Sequence, residues 1–342
     1  MEKKKFVGFG EIMVRLAPAG VLRFPQADSF TVNYTGAEGN MAIALAYMGM
    51  PAEMVTQFPD NDIGRCAYRM LRKYDVLTDH IAWGGERLGL YYLERGASQR
   101  PSKVIYDRKH SSIAEAVPED FDWDDIFQDA GWFHFTGITV ALSKNMQEIC
   151  RQACVAAKRH GVKISCDLNY RKNLWSTEEA KRVMTPLMEY VDVCIANEED
   201  SEKVLGIKAS DTDVTTGKLS LKGYSELAKK LTDTFGFEKV AITLRESISA
   251  SVNNWSAMLY ADGQTYLSKK YTMQIVDRVG GGDSFASGLI YACLNDFDNQ
   301  KALEFATGAS CLKHSIEFDF NLSTVDEVMN LINGDGSGRV QR

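Results

Sequence analysis

Neither of the two commonest glycine-rich nucleotide signatures is present in this chain. No Gly-x-x-x-x-Gly-Lys-Ser/Thr phosphate loop occurs, because Gly217-Lys218 continues with Leu219. Gly8-Phe9-Gly10 follows a strand-like stretch, but the third glycine of a dinucleotide fingerprint would fall at Met13. Positive charge is also scarce: the net charge is -7, and Lys3-Lys4-Lys5 is the one basic run. A nucleic-acid binder needs a concentrated basic face, so that class is excluded. No apolar run approaches the roughly 18 residues of a membrane span. The charged start passes directly to Phe6-Val7-Gly8-Phe9 without the apolar core of an export signal. The seven cysteines are odd in number and irregularly spaced, which argues against a disulfide framework. Cys150 and Cys154 share a helix face, yet no second ligand pair accompanies them. Reduced, packed thiols in a cytoplasmic protein are the expectation.

What is present is an α/β rhythm. Of the 342 residues, 45% are hydrophobic and 25% charged, ample for a large core. Strands are expected at Lys5 to Val7, Trp132 to Phe135, Val162 to Asp167, Val191 to Ala196 and Lys239 to Leu244. Helices alternate with them, one capped by Ser143 and one by the Ser-x-x-Glu pattern of Ser176 to Glu179. Met41 to Met48 is apolar nearly all round and should be a buried helix. Ala257 to Tyr260 and Gln264 to Leu267 flank Asp262-Gly263 as a hairpin. Asp211 to Gly223 reads as a polar loop. Such alternation implies a mostly parallel central sheet covered on both faces. Leu88 to Leu93, Lys103 to Asp107 and a strand near Phe30 to Tyr34 break the rhythm and suggest a second, small sheet.

The most informative stretch is Asp277-Arg278-Val279-Gly280-Gly281-Gly282-Asp283, followed by a helix from Ser284 to Asn295. The first amides of a helix have no intrahelical acceptor and carry partial positive charge, which suits a phosphate. Glycines remove every Cβ, so an anion can approach the backbone. Asp283 places a carboxylate at the same point, where the helix dipole should depress its pKa. An ordinary N-capping Asp on a glycine turn would read the same way.

This stretch resembles the C-terminal signature of the ribokinase-like (PfkB) sugar kinases. The resemblance implies a three-layer ribokinase-like fold, with Asp283 as catalytic base and Gly280, Gly281 and Gly282 as an anion hole. Gly36-Ala37-x-Gly39-Asn40 resembles the family's sugar-facing N-terminal signature, which puts Gly36, Ala37 and Asn40 against the substrate. Asn197-Glu198-Glu199-Asp200 resembles Asn-x-x-Glu, with Asp200 in place of Glu. It implies that Asn197 and Asp200 serve Mg2+, Asp200 through water, and that Asn197 also serves ATP.

Asp167-Leu168-Asn169-Tyr170-Arg171 through Trp175 resembles a segment of the ketodeoxygluconate kinase and fructokinase branch. There the Asn approaches the nucleotide (Asn169) and the Arg the sugar acid (Arg171). Tyr106-x-Arg108 resembles the substrate-contacting Tyr-x-Arg of ketodeoxygluconate kinases. Thr243 and Arg245 stand where relatives have a glycine-containing nucleotide loop, and Ala309 would line the adenine. Asp319 falls in a segment similar to one that touches substrate. Tyr91 and Tyr92 alternate, so at most one faces the pocket, and Tyr92 is assigned that place. His134 and His314 are expected to be packed.

The implied organisation is one kinase domain over residues 1–333, with a lid from about 16–35 and 88–108, and a frayed tail at 334–342. The implied activity is ATP- and Mg2+-dependent phosphorylation of the terminal hydroxyl of 2-keto-3-deoxygluconate, with a monovalent cation as a further family feature. A homodimer or higher oligomer through the lid is implied too. A fructokinase or other neutral-sugar kinase remains open, as does a regulatory protein that binds sugar without turning it over.

Overall fold

A computed structural model describes residues 4–197, 199–208 and 221–336. Lys3, Glu198, residues 211–220 of the expected polar loop and residues 337–342 of the expected tail lie outside the described residues. Leu221 to Gly223 open the helix Leu221–Phe235 rather than closing a loop.

The main sheet runs in the order Gln264–Leu267, Val252–Ala261, Lys239–Ser247, Val193–Ala196, Lys163–Asp167, Ala130–Thr136, Lys5–Phe9, Ala52–Val55. Every pairing from Lys239–Ser247 to Ala52–Val55 is parallel. The far edge turns antiparallel through the expected hairpin, and Tyr271–Gln274 adds a further strand against Val252–Ala261. Asp262 and Gly263 both take positive φ, 52° and 71°, as the tight turn of a right-twisted hairpin requires.

The parallel strands are buried on both faces, and each face has its own apolar core. One packs Lys144–Arg159, Thr177–Met188 and Leu221–Phe235 against the sheet. The other packs Ala37–Tyr47, Gly281–Leu294 and Asn299–Lys313. In the second, Gly288 lets two helices close up: a Cβ there would lie 2.9 Å from Ala306 Cα. Ser143 and Ser176 cap their helices as expected. Cys150, Cys154, Cys166 and Cys194 are buried and free, and burial pushes their thiols above the ordinary value.

A separate four-stranded sheet runs in the order Thr31–Thr35, Met13–Ala17, Gly89–Glu94, Lys103–Asp107. Met13–Ala17 was not anticipated as a strand, because it follows the first strand of the main sheet after only three residues. The small sheet therefore begins at Met13 and not near residue 16. Among the described residues no helix is long and apolar enough to cross a membrane.

Candidate active site

A cavity of about 580 Å³ opens at the carboxyl ends of the parallel strands, with residues of the small sheet on one side and the glycine run on the other. This is where open α/β sheets bind ligands. The helix begins earlier than the sequence suggests: it spans Gly281–Leu294 with Gly280 as its cap, so Asp283 sits inside its first turn.

The three glycines are there for three different reasons. Gly280 has φ of 81°, and a Cβ on it would lie 1.9 Å from the carbonyl oxygen of Asp319. A Cβ on Gly281 would lie 2.5 Å from the His314 ring. Around Gly282 there is open space, on the cavity side. The Gly281 amide donates to Arg278 O at 3.3 Å. Gly281 therefore does not extend a free amide to an anion as expected, and its own carbonyl accepts from Ser310 Oγ at 2.7 Å.

Asp283 Oδ2 accepts from Asn40 Nδ2 at 2.7 Å, and Asn40 Oδ1 in turn accepts from Thr35 Oγ1 at 2.6 Å. The sugar-side signature is thereby joined to the base. Burial pushes the Asp283 carboxyl up to about 6; Asn40, Arg171 and Lys313 pull it down, and Asp319 raises it. The depressed value expected from the helix dipole is therefore wrong. Dehydration outweighs the dipole, and a carboxylate near 6 is a better base at neutral pH.

Further acids face the same space. Burial, then Asp200 and Asp283, hold the Asp167 carboxyl well above its ordinary value. Burial raises Asp200 to about 6, against Arg171 and the amides of Tyr170 and Asn197. Behind them Glu38, fully enclosed and bonded by Thr136 and Thr139, is raised to about 7. A divalent cation would relieve this crowding, and hard carboxylate oxygens suit Mg2+. Among the described residues no group of three His, Cys, Asp or Glu could hold a metal alone. Asn197 does not fit as its ligand, because Oδ1 already accepts from the amides of Glu199 and Asp200 at 2.9 and 3.1 Å. The Asn197 amide nitrogen is left for an acceptor such as a phosphate oxygen.

At the sugar end Gly36, Ala37, Tyr106, Arg108 and Arg171 all line the cavity. A Cβ on Gly36 would overlap Glu11 O at 1.8 Å, which fixes that glycine. Arg108 is held by Glu11: its Nε donates to Oε2 at 2.8 Å and its Nη2 donates to the same oxygen. Glu11 Oε1 is buried without a partner.

With that geometry in place, residues 3–315 match the pattern of the pfkB family carbohydrate kinases. The chain belongs to that family. It is a phosphotransferase acting on a sugar hydroxyl. It is similar to a 2-dehydro-3-deoxygalactonokinase from Haloferax volcanii, 32% identical over 335 residues and 98% of either chain. The crystal structure of a 2-dehydro-3-deoxygluconokinase from Thermotoga maritima superposes with a TM-score of 0.94 at 53% identity, over 97% of this chain and 99% of that one. A PfkB family carbohydrate kinase from Listeria grayi gives 0.90 at 34% identity, over 96% and 100%.

Most site residues of this pfkB kinase that the sequence pointed to converge on the cavity, including Asn169, Thr243 and Arg245. Besides Gly281 and Asn197, three do not behave as expected. Tyr92 points away and packs edge-on against Phe30, ring centroids 6.0 Å apart, while Tyr91 takes the cavity side. The strand alternation was read correctly but assigned to the wrong parity. Ala309 is fully buried between helices and does not line this cavity; its Cβ is 3.2 Å from where a Cβ on Gly288 would be. Asp319 lines the cavity, but its carboxylate is engaged by Arg15 Nη1 at 2.6 Å and by Tyr91 Oη at 2.8 Å.

Arg15 itself was missed. It is 1% exposed, and its other nitrogen, Nη2, donates to Asp277 Oδ2 at 2.6 Å. Burial works against its charge, but Asp319 and Asp277 more than offset that and hold its pKa above the ordinary value. The signal was available in Met13-Val14-Arg15-Leu16-Ala17, where a lone charge sits on the same parity as two inward apolar residues. Arg278 and Lys203 also line the cavity, and neither has a role assigned from the sequence.

Proposed function

We propose that this kinase transfers the γ-phosphate of ATP to the terminal hydroxyl of 2-keto-3-deoxygluconate, with Asp283 as general base. The observation that carries the reading is Asp283 at the head of the glycine helix, held by Asn40 from the sugar-side signature. The hydroxyl oxygen attacks the γ-phosphorus, its proton passes to the Asp283 carboxylate, and the bond to the ADP oxygen breaks. The amides of Gly282 and Asp283 face the charge that develops. Bound Mg2+ would neutralise phosphate charge, with Asp200 and Asp167 the carboxylates placed to serve it. Asn169, Asn197, Thr243 and Arg245 make up the nucleotide side. The small sheet acts as the lid that keeps water from the γ-phosphate. On the face turned from the cavity its two edge strands leave Val32 and Ile105 exposed, in one cross-strand row with Leu16 and Tyr92, which supports a second copy of the chain covering that face.

A sugar acid is favoured over a neutral sugar by Arg108 and Arg171 on one cavity and by the substrates named for the similar proteins. The galactono epimer is a second reading, because one of those relatives is named for it. ADP release with both epimers, fructose and ribose decides the matter. Turnover confined to fructose or ribose overturns the sugar-acid assignment and leaves the kinase in place. Arg108→Ala and Arg171→Ala are each expected to raise KM for the acid about 10- to 100-fold, the worth of a charge-assisted bond, with little effect on a neutral sugar. Arg108→Ala also strands the buried Glu11 and should lower the melting temperature; the exposed Arg171 should not.

The acid limb follows from the sign of the Asp283 shift. The base works when deprotonated, so kcat/KM should fall as pH drops through about 6. A profile flat down to pH 5 would contradict the assignment.

A further inference from the structure

Lysine is almost never wholly enclosed in a protein unless paired, yet Lys313 is 0% exposed. It closes the helix Asn299–Lys313, and its Nζ donates to the backbone carbonyl of Asp277 at 3.0 Å. That carbonyl begins the segment that ends at Asp283. The same segment is clamped from the lid side by Arg15, which bridges Asp277 and Asp319, and Asp319 O lies directly under Gly280. Arg15 cannot lose its proton in a protein, whereas Lys313 can. Resting on the assignment of Asp283 as base, we propose that Lys313 is a positioning residue for the phosphoryl transfer. Its ammonium fixes the Asp277–Asp283 segment and keeps Asp283 ionised from behind the glycine run.

The groups around Asp283 are few enough to name. Asn40 and Glu38 face it from Ala37–Tyr47, Arg171 and Asp167 from the strand end beside it, and Asp319 and Lys313 from behind. Arg171 and Lys313 are the cations among them, and Lys313 is the buried one. His314, next in the chain, is held neutral by burial, down to about 4. Burial also lowers Lys313, to about 8, against the attraction of Asp277, Asp319 and Asp283. The support it gives is therefore present at neutral pH and withdrawn as pH rises through about 8.

The test is the pH profile of kcat/KM at saturating Mg2+ for wild type, Lys313→Met and Asp283→Asn. Wild type is expected to show an acid limb near 6 and an alkaline limb near 8. In Lys313→Met, kcat should fall roughly tenfold, within the range of coupled network residues, with both KM values little changed. Its acid limb should move up and its alkaline limb should vanish. Unmoved limbs with only a lower melting temperature make Lys313 structural and overturn the proposal. Should that variant not fold, the wild-type alkaline limb decides: an amine ionises with a large enthalpy, so the limb must shift to lower pH on warming. A missing or temperature-independent limb overturns it equally. Wild-type turnover by Asp283→Asn removes the base assignment itself, an outcome distinct from either.

Discussion

Asp283→Asn is expected to lower kcat by about 10²- to 10⁴-fold, the usual worth of a general base, while ATP and sugar still bind. The amide keeps an oxygen for Asn40 Nδ2, so the helix head stays where it is and only proton acceptance is lost. Steady-state ADP release gives the rate, and calorimetric titration with each ligand gives the affinities. Asp283→Glu should recover part of the rate, because the carboxylate remains but is displaced by one methylene. Near-wild-type turnover by Asp283→Asn would mean that the proton leaves by another route.

The second large effect separates the first and last glycines of the run. Gly280→Ala forces a side chain onto φ of 81° and drives its Cβ to 1.9 Å from Asp319 O. Strain of this kind is worth about 1–3 kcal/mol for the backbone alone, and the overlap adds to it. The protein should melt many degrees lower or fail to accumulate. Gly282→Ala meets nothing within 4 Å and places alanine in a helix, where it is favoured over glycine by about 0.5–1 kcal/mol. That variant should be as stable as wild type or more so, yet lose most of its turnover, because the methyl occupies the space a phosphate needs. Thermal melts and ADP release on the same preparations test both. Equal activity loss with equal stability loss in the two variants would refute the division of roles.

Most of the architecture was legible because the signals are local. Strand and helix alternation, the Asp262-Gly263 turn and the caps at Ser143 and Ser176 each depend on neighbours in sequence. So does the motif, whose residues act within one turn of helix. What was not legible depends on contacts between distant segments. Tyr91 and Tyr92 differ only in which face of a strand meets the cavity, and the partner that marks the inner face, Asp319, lies 228 residues away from Tyr91. The Asp283 carboxyl rises because of the walls built around it, which no helix-dipole argument contains. Ala309 looked accessible until Gly288 brought the two helices together. Asn197 kept its place at the cavity but not its metal role, since its oxygen caps the next helix.

Arg15 has a consequence for descent and for chimeras. Its fork joins Asp277 and Asp319 across 262 and 304 residues of chain. Breaking one partner of such a buried set costs about 3–5 kcal/mol, a large share of the stability of a domain. Positions 15, 277 and 319 therefore behave as one heritable character: they change in concert, or the intermediate is lost. A lid segment transplanted from a relative lacking this arginine has to carry the C-terminal third of its donor with it.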